Sequence, residues 1–577
     1  MLKLTRFLKN YKLQLILGPI FKLIDAIFEL IVPLVMIKII DVGVAGHDIS
    51  YVLRMGGLLV VLGATGLISA LTCQYFASVA SMGSGCALRA SLYRKIGSLS
   101  SAELDKFGAG GLITRLTNDV NQLQQAVAML IRLVIRAPFL AVGSMFMAFS
   151  IDATLSLVFL VALPLVALVL FLIMSRSVPF YKVIQKKLDK VGELARERLA
   201  GERVIRAFGK QSDINARFSV ASDDLADTGV HVSRLSALLN PLTFAIANLG
   251  IVAILWLSGA RVSAGTLTTG EVIALVNYMT QVLLALVVVA NLVVTFTRAN
   301  ASASRINEVF DTRASVYSAP NATLSPIAGA PAIEFQNVSF SYSGAGTPAL
   351  CDVSFSVESG KTLGIIGGTG SGKSTLAALI ARFYNASCGS VKISGQDVSE
   401  MPLTALRRMV RMVMQNSSLV SGNIAKNLRF GDADATDDEL MCALKTAQAA
   451  DFVSQLPDGL SARVEEGGKN FSGGQRQRLS IARALVGSPK ILVLDDCSSA
   501  LDLATDARLR RALREDTGDA CVIMISQRVS AVKSCDSCLV LDDGNVVGFG
   551  THDELIASCP VYREICASQL GNEEVPR

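Results

Sequence analysis

Residues 1–310 and residues 332–577 follow two different rhythms of hydrophobic and polar positions. In the first part, long apolar runs are separated by short polar turns or longer basic stretches. Six runs, at about 14–40, 55–80, 128–149, 155–175, 236–258 and 271–297, are each long enough as helices to cross about 30 Å of hydrocarbon. The third and fourth are separated only by SIDAT, which predicts a tight hairpin. In the last part, short alternating runs such as AIEFQNVSFSY and short buried-type runs such as ILVL take turns with amphipathic ones, the pattern of an α/β domain. Between them, DTRASVYSAPNATLSPIAGA, at about 311–331, is rich in Pro, Ser, Ala and Gly and reads as a linker. The expectation is an α-helical six-span membrane domain (1–310), a linker (311–331) and an α/β domain (332–577).

Charge orients the first part. The connection between the second and third runs carries Arg89, Arg94, Lys95, Lys106 and Arg115. That between the fourth and fifth carries Arg176, Lys182, Lys186, Lys187, Lys190, Arg196 and Arg198. The other connections are short and poor in Lys and Arg, so both termini and the α/β domain are expected on the cytoplasmic side of a cell membrane. The basic stretches have helical spacing and predict helices that continue the spans beyond the bilayer. The N-terminal MLKLTRFLKNYK reads as a cytoplasmic amphipathic helix leading into the first span, with no cleavage site after it.

Composition agrees with a multi-pass membrane protein. Of 577 residues, 51% are hydrophobic and only 18% charged, and mean hydropathy is +0.47, too apolar for an ordinary soluble enzyme. The net charge of +6 is not gathered into basic runs interleaved with aromatics, which argues against a nucleic-acid partner. The 11 cysteines lack a spaced framework and read as free thiols. Cys535 and Cys538 form a lone CxxC without the second pair that a zinc site needs, and read as packed thiols beside a strand.

GGTGSGKST, Gly367 to Thr375, fits G-x-x-x-x-G-K-[ST]. It follows the strand-like KTLGIIG and precedes the helix-like STLAALIARFY, the context the motif requires. Gly367, Gly370, Ser371 and Gly372 let backbone N–H groups wrap phosphate oxygens, and the helix N-terminus at Thr375 adds its positive dipole end. Lys373 is placed to reach the β- and γ-phosphates of ATP and Ser374 to ligate Mg²⁺. Asp495 closes the buried-type strand Ile491–Leu494, where it can hold the same metal. Upstream, NFSGGQRQRLSIARAL sets Ser472, Gly473, Gly474 and Gln475 at the start of an amphipathic helix, a second anion site. One nucleotide does not need two such sites from one chain, so the second is expected to serve a nucleotide held by another subunit.

Together with the SSALD that follows the acids, these motifs resemble the ATPase domain of ABC transporters. The resemblance covers nearly the whole chain, because a six-span domain precedes the ATPase domain as in the swapped-helix (type IV) ABC exporters. It implies further roles. Tyr342 would stack on adenine. Gln415, in VMQNSS, would be the glutamine that senses Mg²⁺ and contacts the membrane domain. Asp502 would belong to the loop that speaks across the dimer, and Glu466 to a loop touching the cytoplasmic coupling helices. Coupling segments would lie near Phe107–Leu112 and Ala207–Ser212.

Two positions depart from the family pattern. Glutamate is expected after the metal-binding Asp, and this chain has Asp496; histidine is expected after the next strand, and VIMISQRVSA has Gln527. His47, His231 and His552 are the only histidines, and none lies there. Asp496 is one methylene shorter than glutamate, and general-base help requires hydrogen-bond reach. Glutamine cannot carry a proton or a positive charge to the γ-phosphate, although it can donate a hydrogen bond. Both changes weaken hydrolysis and spare binding. The pattern resembles the degenerate-site subunit of heterodimeric bacterial multidrug ABC exporters, with RLTNDVNQLQ and VVGFGTHDELIASCPVYREI as further points of likeness. It implies a partner half-transporter with the intact Glu and His, ATP and Mg²⁺ as ligands, and export of small amphipathic molecules. The alternative assembly is a slow homodimer using Asp496 as base. The alternative functions are an importer on an exporter fold, siderophore-like, and an ATP-binding regulatory or sensor subunit.

The membrane half says less about cargo. Asn277, Gln281, Asn291, Thr295 and Arg298 fall on one face of the sixth run at 100° per residue, a face expected to line a cavity or meet another helix. In the first run, Lys22 and Asp25 are spaced to pair. That leaves Glu29 as a charge able either to attract cationic cargo or to pair with a neighbouring helix. Asp41, near the outer end, is a candidate exit-gate charge or an interfacial one.

Overall fold

The computed structural model describes residues 2–318 and 322–570. It divides into two units: Gly110–Asp311 with the residues up to Lys95, and Ile96–Ala109 with the residues from Thr312 onward. The short segment Ile96–Ala109, which lies between two long helices of the first unit in the chain, therefore groups with the α/β unit.

Among the described residues of the first unit, five helices are long and apolar enough to cross a membrane: Ile49–Gly97, Ala109–Ile151, Leu157–Ala207, Gln211–Ser263 and Thr269–Asp311. The expected first span is a 27-residue helix, Lys12–Lys38, but Lys22, Asp25 and Glu29 crowd charge into its middle. The basic connections are mostly helical, as their spacing predicts, and continue the apolar segments, with breaks at Ser98–Ser100, Gly108 and Phe208–Lys210. SIDAT closes a hairpin: the Asp152 carboxylate accepts from the N–H groups of Thr154 and Leu155, each at 2.8 Å. The Arg261 guanidinium donates to the same carboxylate. Helix Ala109–Ile151, the third long helix when Lys12–Lys38 is counted first, is interrupted between Arg132 and Arg136, where Leu133 leaves helical geometry at φ −124°. Pro138, just beyond, has no N–H to offer the carbonyl of Val134, so the ladder cannot continue unbroken.

Pro33 creates a similar need in helix Lys12–Lys38. Without its N–H, the carbonyl of Glu29 loses its helical donor. The helix Thr269–Asp311 supplies the replacement: Gln281 Nε2 donates to the Glu29 carbonyl at 3.3 Å, and the buried Tyr278 hydroxyl adds a bond to the neighbouring Leu30 carbonyl at 2.7 Å. In lipid no water can do this, so a neighbouring helix must.

Asp41 has a comparable structural task. Its Oδ1 accepts from the N–H of Gly270 at 2.8 Å, capping the start of helix Thr269–Asp311. Capping is worth about 1 kcal/mol. Asp41→Ala is therefore expected to lower the unfolding temperature of the purified protein by a few degrees while leaving the transport rate intact. A transport loss without a stability loss would restore the gating role.

The second unit is built on two sheets. One is antiparallel, ordered Leu350–Val357, Ile333–Phe340, Cys388–Ile393, Gln396–Asp397. The other is ordered Asn545–Gly550, Ser537–Asp542, Thr362–Gly367, Cys521–Ile525, Ile491–Asp495, Val410–Val413. Its last five strands run parallel, and only the Asn545–Gly550 edge is antiparallel. Three central strands, Thr362–Gly367, Cys521–Ile525 and Ile491–Asp495, are buried along their whole length, because helices cover both faces of a parallel sheet. Register places Ile365 beside Ile525 and Ile525 beside Asp495, so the ends of these strands reach one edge together. Cys535 and Cys538 are buried free thiols, Cys538 within the strand Ser537–Asp542 and Cys535 just before it, and burial pushes them up to about 12 (Cys535) and about 11 (Cys538).

The expected linker opens as irregular chain after Asp311, and residues 319–321 within it lie outside the described residues. Its first part is held by the helix Ser101–Phe107: the N–H of Ser315 donates to Glu103 at 3.2 Å and that of Val316 to Ser100 Oγ at 3.1 Å.

Candidate functional site

Ligands of open α/β sheets bind at the carboxyl ends of the strands, and that edge carries the predicted chemistry. A cavity of about 350 Å³ is lined by Tyr342, Thr369, Gly370, Gly372, Lys373, Ser374, Thr375, Gln415, Asp495, Asp496, Ser526 and Gln527, among others. One concavity thus gathers the glycine-rich loop, both acids and the two positions that depart from the family pattern.

The loop has the backbone its glycines allow. Gly370 and Gly372 stand at φ +86° and +95°, where side chains are strained. A Cβ on Gly372 would also meet the Ala349 carbonyl at 2.6 Å. Helix Lys373–Ile380 starts directly after it, aiming free N–H groups at the cavity. Lys373 is 8% exposed. Its ammonium donates to the carbonyls of Gly367 (2.9 Å) and Gly368 (2.5 Å) and to Ser371 Oγ (3.2 Å). Burial lowers its pKa, while Asp495 and Asp496 oppose that shift.

Ser374 Oγ donates to Asp495 Oδ1 at 3.2 Å. A hydroxyl and a carboxylate side by side form the hard oxygen set that Mg²⁺ accepts, with waters and phosphate oxygens completing six positions. The residues therefore fit the metal. Burial raises the Asp495 pKa, with Asp496 adding to the effect. Asp496 adopts φ +47°, a left-handed conformation that Asp tolerates better than most residues. Its N–H is tied to the Ile525 carbonyl at 2.9 Å. Its carboxylate accepts from Gln415 Nε2 at 3.2 Å, and burial raises its pKa too. Gln527 is exposed at the rim, with its carbonyl bonded to Gln569 Nε2 at 2.7 Å.

Tyr342 is 39% exposed, and its hydroxyl shares a hydrogen bond of 3.1 Å with Thr375 Oγ1. Its ring meets Tyr384 edge-on with centroids 5.4 Å apart. The Tyr384 hydroxyl donates to Asp105 at 2.6 Å, in the helix Ser101–Phe107 beside the first expected coupling segment. Sequence reading missed Tyr384, Thr369 and Ser526. Only their neighbourhood to named motifs hinted at them.

The predicted second anion site stands apart. Ser472, Gly473, Gly474 and Gln475 line no part of this cavity. Ser472 caps helix Gly473–Leu485 in a reciprocal pair with Gln475, with Gly473 exposed and Gly474 half-buried in its first turn. Asp502 caps the next helix by accepting from the Thr505 N–H at 2.9 Å, and that bond holds its carboxyl below the usual range.

In the membrane unit Glu29 and Gln281 take the second of the two roles left open for each, contact with another helix. Glu29 is not an unpaired charge: Arg136 Nη2 donates to it at 2.6 Å. Gln281 is held between helices, donating to the Glu29 carbonyl and accepting from Ser144 Oγ at 3.0 Å. The physical reasons are the carbonyl freed by Pro33 and an arginine on the third helix whose pairing no local pattern shows. Asn277 and Asn291 are exposed on this unit, and Asn277 bonds to its own helix at Ile273. Lys22 and Asp25 pair at 2.7 Å, as their spacing predicts.

Comparison with known proteins agrees with both halves. Residues 15–286 match the model of the ABC transporter transmembrane region, and residues 350–499 that of the ABC transporter family. An uncharacterised ABC transporter ATP-binding protein of Mycobacterium tuberculosis is 37% identical over 98% of this chain and 97% of its own. A fatty acid ABC transporter ATP-binding/permease protein of Mycobacterium bovis is 33% identical over 83% of this chain and 75% of its own. A bacterial Atm1-family ABC exporter solved with ATP bound superposes with a TM-score of 0.78 at 24% identity, covering 99% of each chain.

Proposed function

The chain belongs to the ABC transporter family, as a half-transporter that joins a membrane domain to an ATPase domain. On that premise we propose that it is one half of a heterodimeric exporter that drives small amphipathic molecules across the cell membrane with ATP. In this reading helix Lys12–Lys38 is the first of six spans, and both termini and the ATPase domain are cytoplasmic. The relative named for fatty acids supports an amphipathic cargo. The exposed Asn277 and Asn291 are the cavity-lining candidates that remain.

The observation that carries the proposal is one cavity lined by Lys373, Ser374 and Asp495, the expected Mg·ATP ligands, together with Asp496 and Gln527, which stand where the family pattern has Glu and His. Lys373, Ser374 and Asp495 bind; Asp496 and Gln527 fall short. Ser472–Gln475, unaltered and outside this cavity, would complete the partner's site. The partner would supply the Glu and His that this chain lacks. ATP binding would draw the two ATPase domains together, and hydrolysis at the partner's site would reset them.

Steady-state ATP hydrolysis of this chain alone, in lipid nanodiscs, is the test. Near-zero turnover with ATP binding retained, and binding lost in Lys373→Ala, is the expected result. Brisk turnover from a homodimer would show that Asp496 and Gln527 suffice, and the degenerate-site reading would fall.

A further inference from the structure

The membrane unit holds five charged side chains in one cluster. Lys22, Asp25 and Glu29 lie on helix Lys12–Lys38, and Arg132 and Arg136 flank the break in the third long helix. Lys22 pairs with Asp25 at 2.7 Å; Arg136 pairs with Glu29 at 2.6 Å and comes within 4.0 Å of Asp25. Both carboxylates are thereby neutralised. Arg132 has, among the described residues, no carboxylate partner: its Nη1 donates to Gln74 Oε1 at 2.6 Å and its Nε to the Ala128 carbonyl at 3.4 Å. Cys73, the neighbour of Gln74, packs in one apolar cluster with Ile131 and Phe21, the neighbours of Arg132 and Lys22, which puts Arg132 beside the same charges. Three cations thus stand against two acids.

An arginine among apolar spans that faced lipid would be costly, so it is expected toward a hydrated cavity or another helix. A guanidinium bonded only to neutral acceptors keeps its full charge and spare donors, which a carboxylate or phosphate can engage in paired, charge-assisted bonds. A quaternary ammonium would meet net repulsion at the same place. We infer that Arg132 is a docking point for the anionic headgroup of an acyl-chain substrate, so that the cargo is an acidic amphiphile rather than a cationic one. The inference rests on the amphipathic-export reading and narrows its substrate class. It also reverses the selectivity that Glu29 alone would have suggested.

The test is binding of three probes that share a twelve-carbon chain and differ in headgroup: dodecyl phosphate, dodecanol and dodecyltrimethylammonium. The full chain is held in nanodiscs of zwitterionic lipid only, and ATP binding reports its integrity. The expected result is dodecyl phosphate at least about tenfold tighter than dodecyltrimethylammonium. Arg132→Gln is expected to bring the two near parity and Arg132→Lys to keep most of the preference. Tighter binding of the cation, or a preference for the anion unmoved in Arg132→Gln, would overturn the inference while leaving amphiphile export standing. Absence of binding by all three probes to protein that still binds ATP would overturn the export reading itself, and the inference with it.

Discussion

Asp496→Glu together with Gln527→His is expected to raise ATP turnover of this chain, purified alone, by about two orders of magnitude, the lower end of what a positioned general base contributes. The reason is reach. Asp496 starts from a backbone locked by its bond to Ile525 and by φ +47°, so it cannot swing forward to make up the missing methylene. Its carboxylate is also occupied by Gln415. Glutamate at the same position extends past that bond. Asp496→Glu alone should supply most of the gain and Gln527→His alone little, because a histidine with no base beside it has no water to organise; such pairs are not additive. Phosphate release is measured on samples whose ATP-dependent dimerisation is followed by cross-linking. A double variant that dimerises with ATP yet turns over no faster would mean that the length of the acid does not limit hydrolysis here.

Arg305→Ala is expected to cost about 2–4 kcal/mol of stability, somewhat short of a fully buried pair because half of Arg305 faces solvent. Its partner Asp119 closes a π-helical turn, Arg115–Asp119, and is 3% exposed. Asp119 accepts from Arg305 Nε at 2.9 Å and from its Nη2, and from Ser302 Oγ at 2.9 Å. Removing the guanidinium leaves a buried carboxylate with one hydroxyl for company. Asp119→Asn added to Arg305→Ala should return part of the loss, since the orphaned group is then neutral. Thermal unfolding of the purified variants reads both. If Arg305→Ala unfolds with the parent, the pair is ornamental.

Much of this molecule is legible from local pattern. The five-residue strand ending in Asp495, the glycine loop and the helix it opens each depend on neighbours in sequence, and each appears where its pattern places it. The hairpin at Asp152 is equally local. What escaped reading was tertiary. Nothing around Glu29 announces Arg136, more than a hundred residues away, and a helical wheel cannot tell a cavity-facing Gln281 from one that serves another helix. A signal was present all the same: Pro33 inside a membrane helix leaves a carbonyl unpaired, and a polar side chain elsewhere has to meet it. Ser100 and Glu103 likewise spell a helix start in SLSSAE, the beginning of the small helix that groups with the ATPase unit.

That helix gives the tyrosine pair a thermodynamic meaning. Tyr342 faces the nucleotide cavity, Tyr384 touches it edge-on, and Asp105 holds Tyr384 by its hydroxyl. Linkage is reciprocal. If ATP shifts the position of Tyr342, and with it the strength of the Asp105 bond, then any pull on the chain at Asp105 must change ATP affinity by the same factor. Cargo that moves the long helices on either side of that segment would then be felt as a change in nucleotide affinity before any bond in ATP is broken, and ATP affinity would become a measure of what the membrane half is holding.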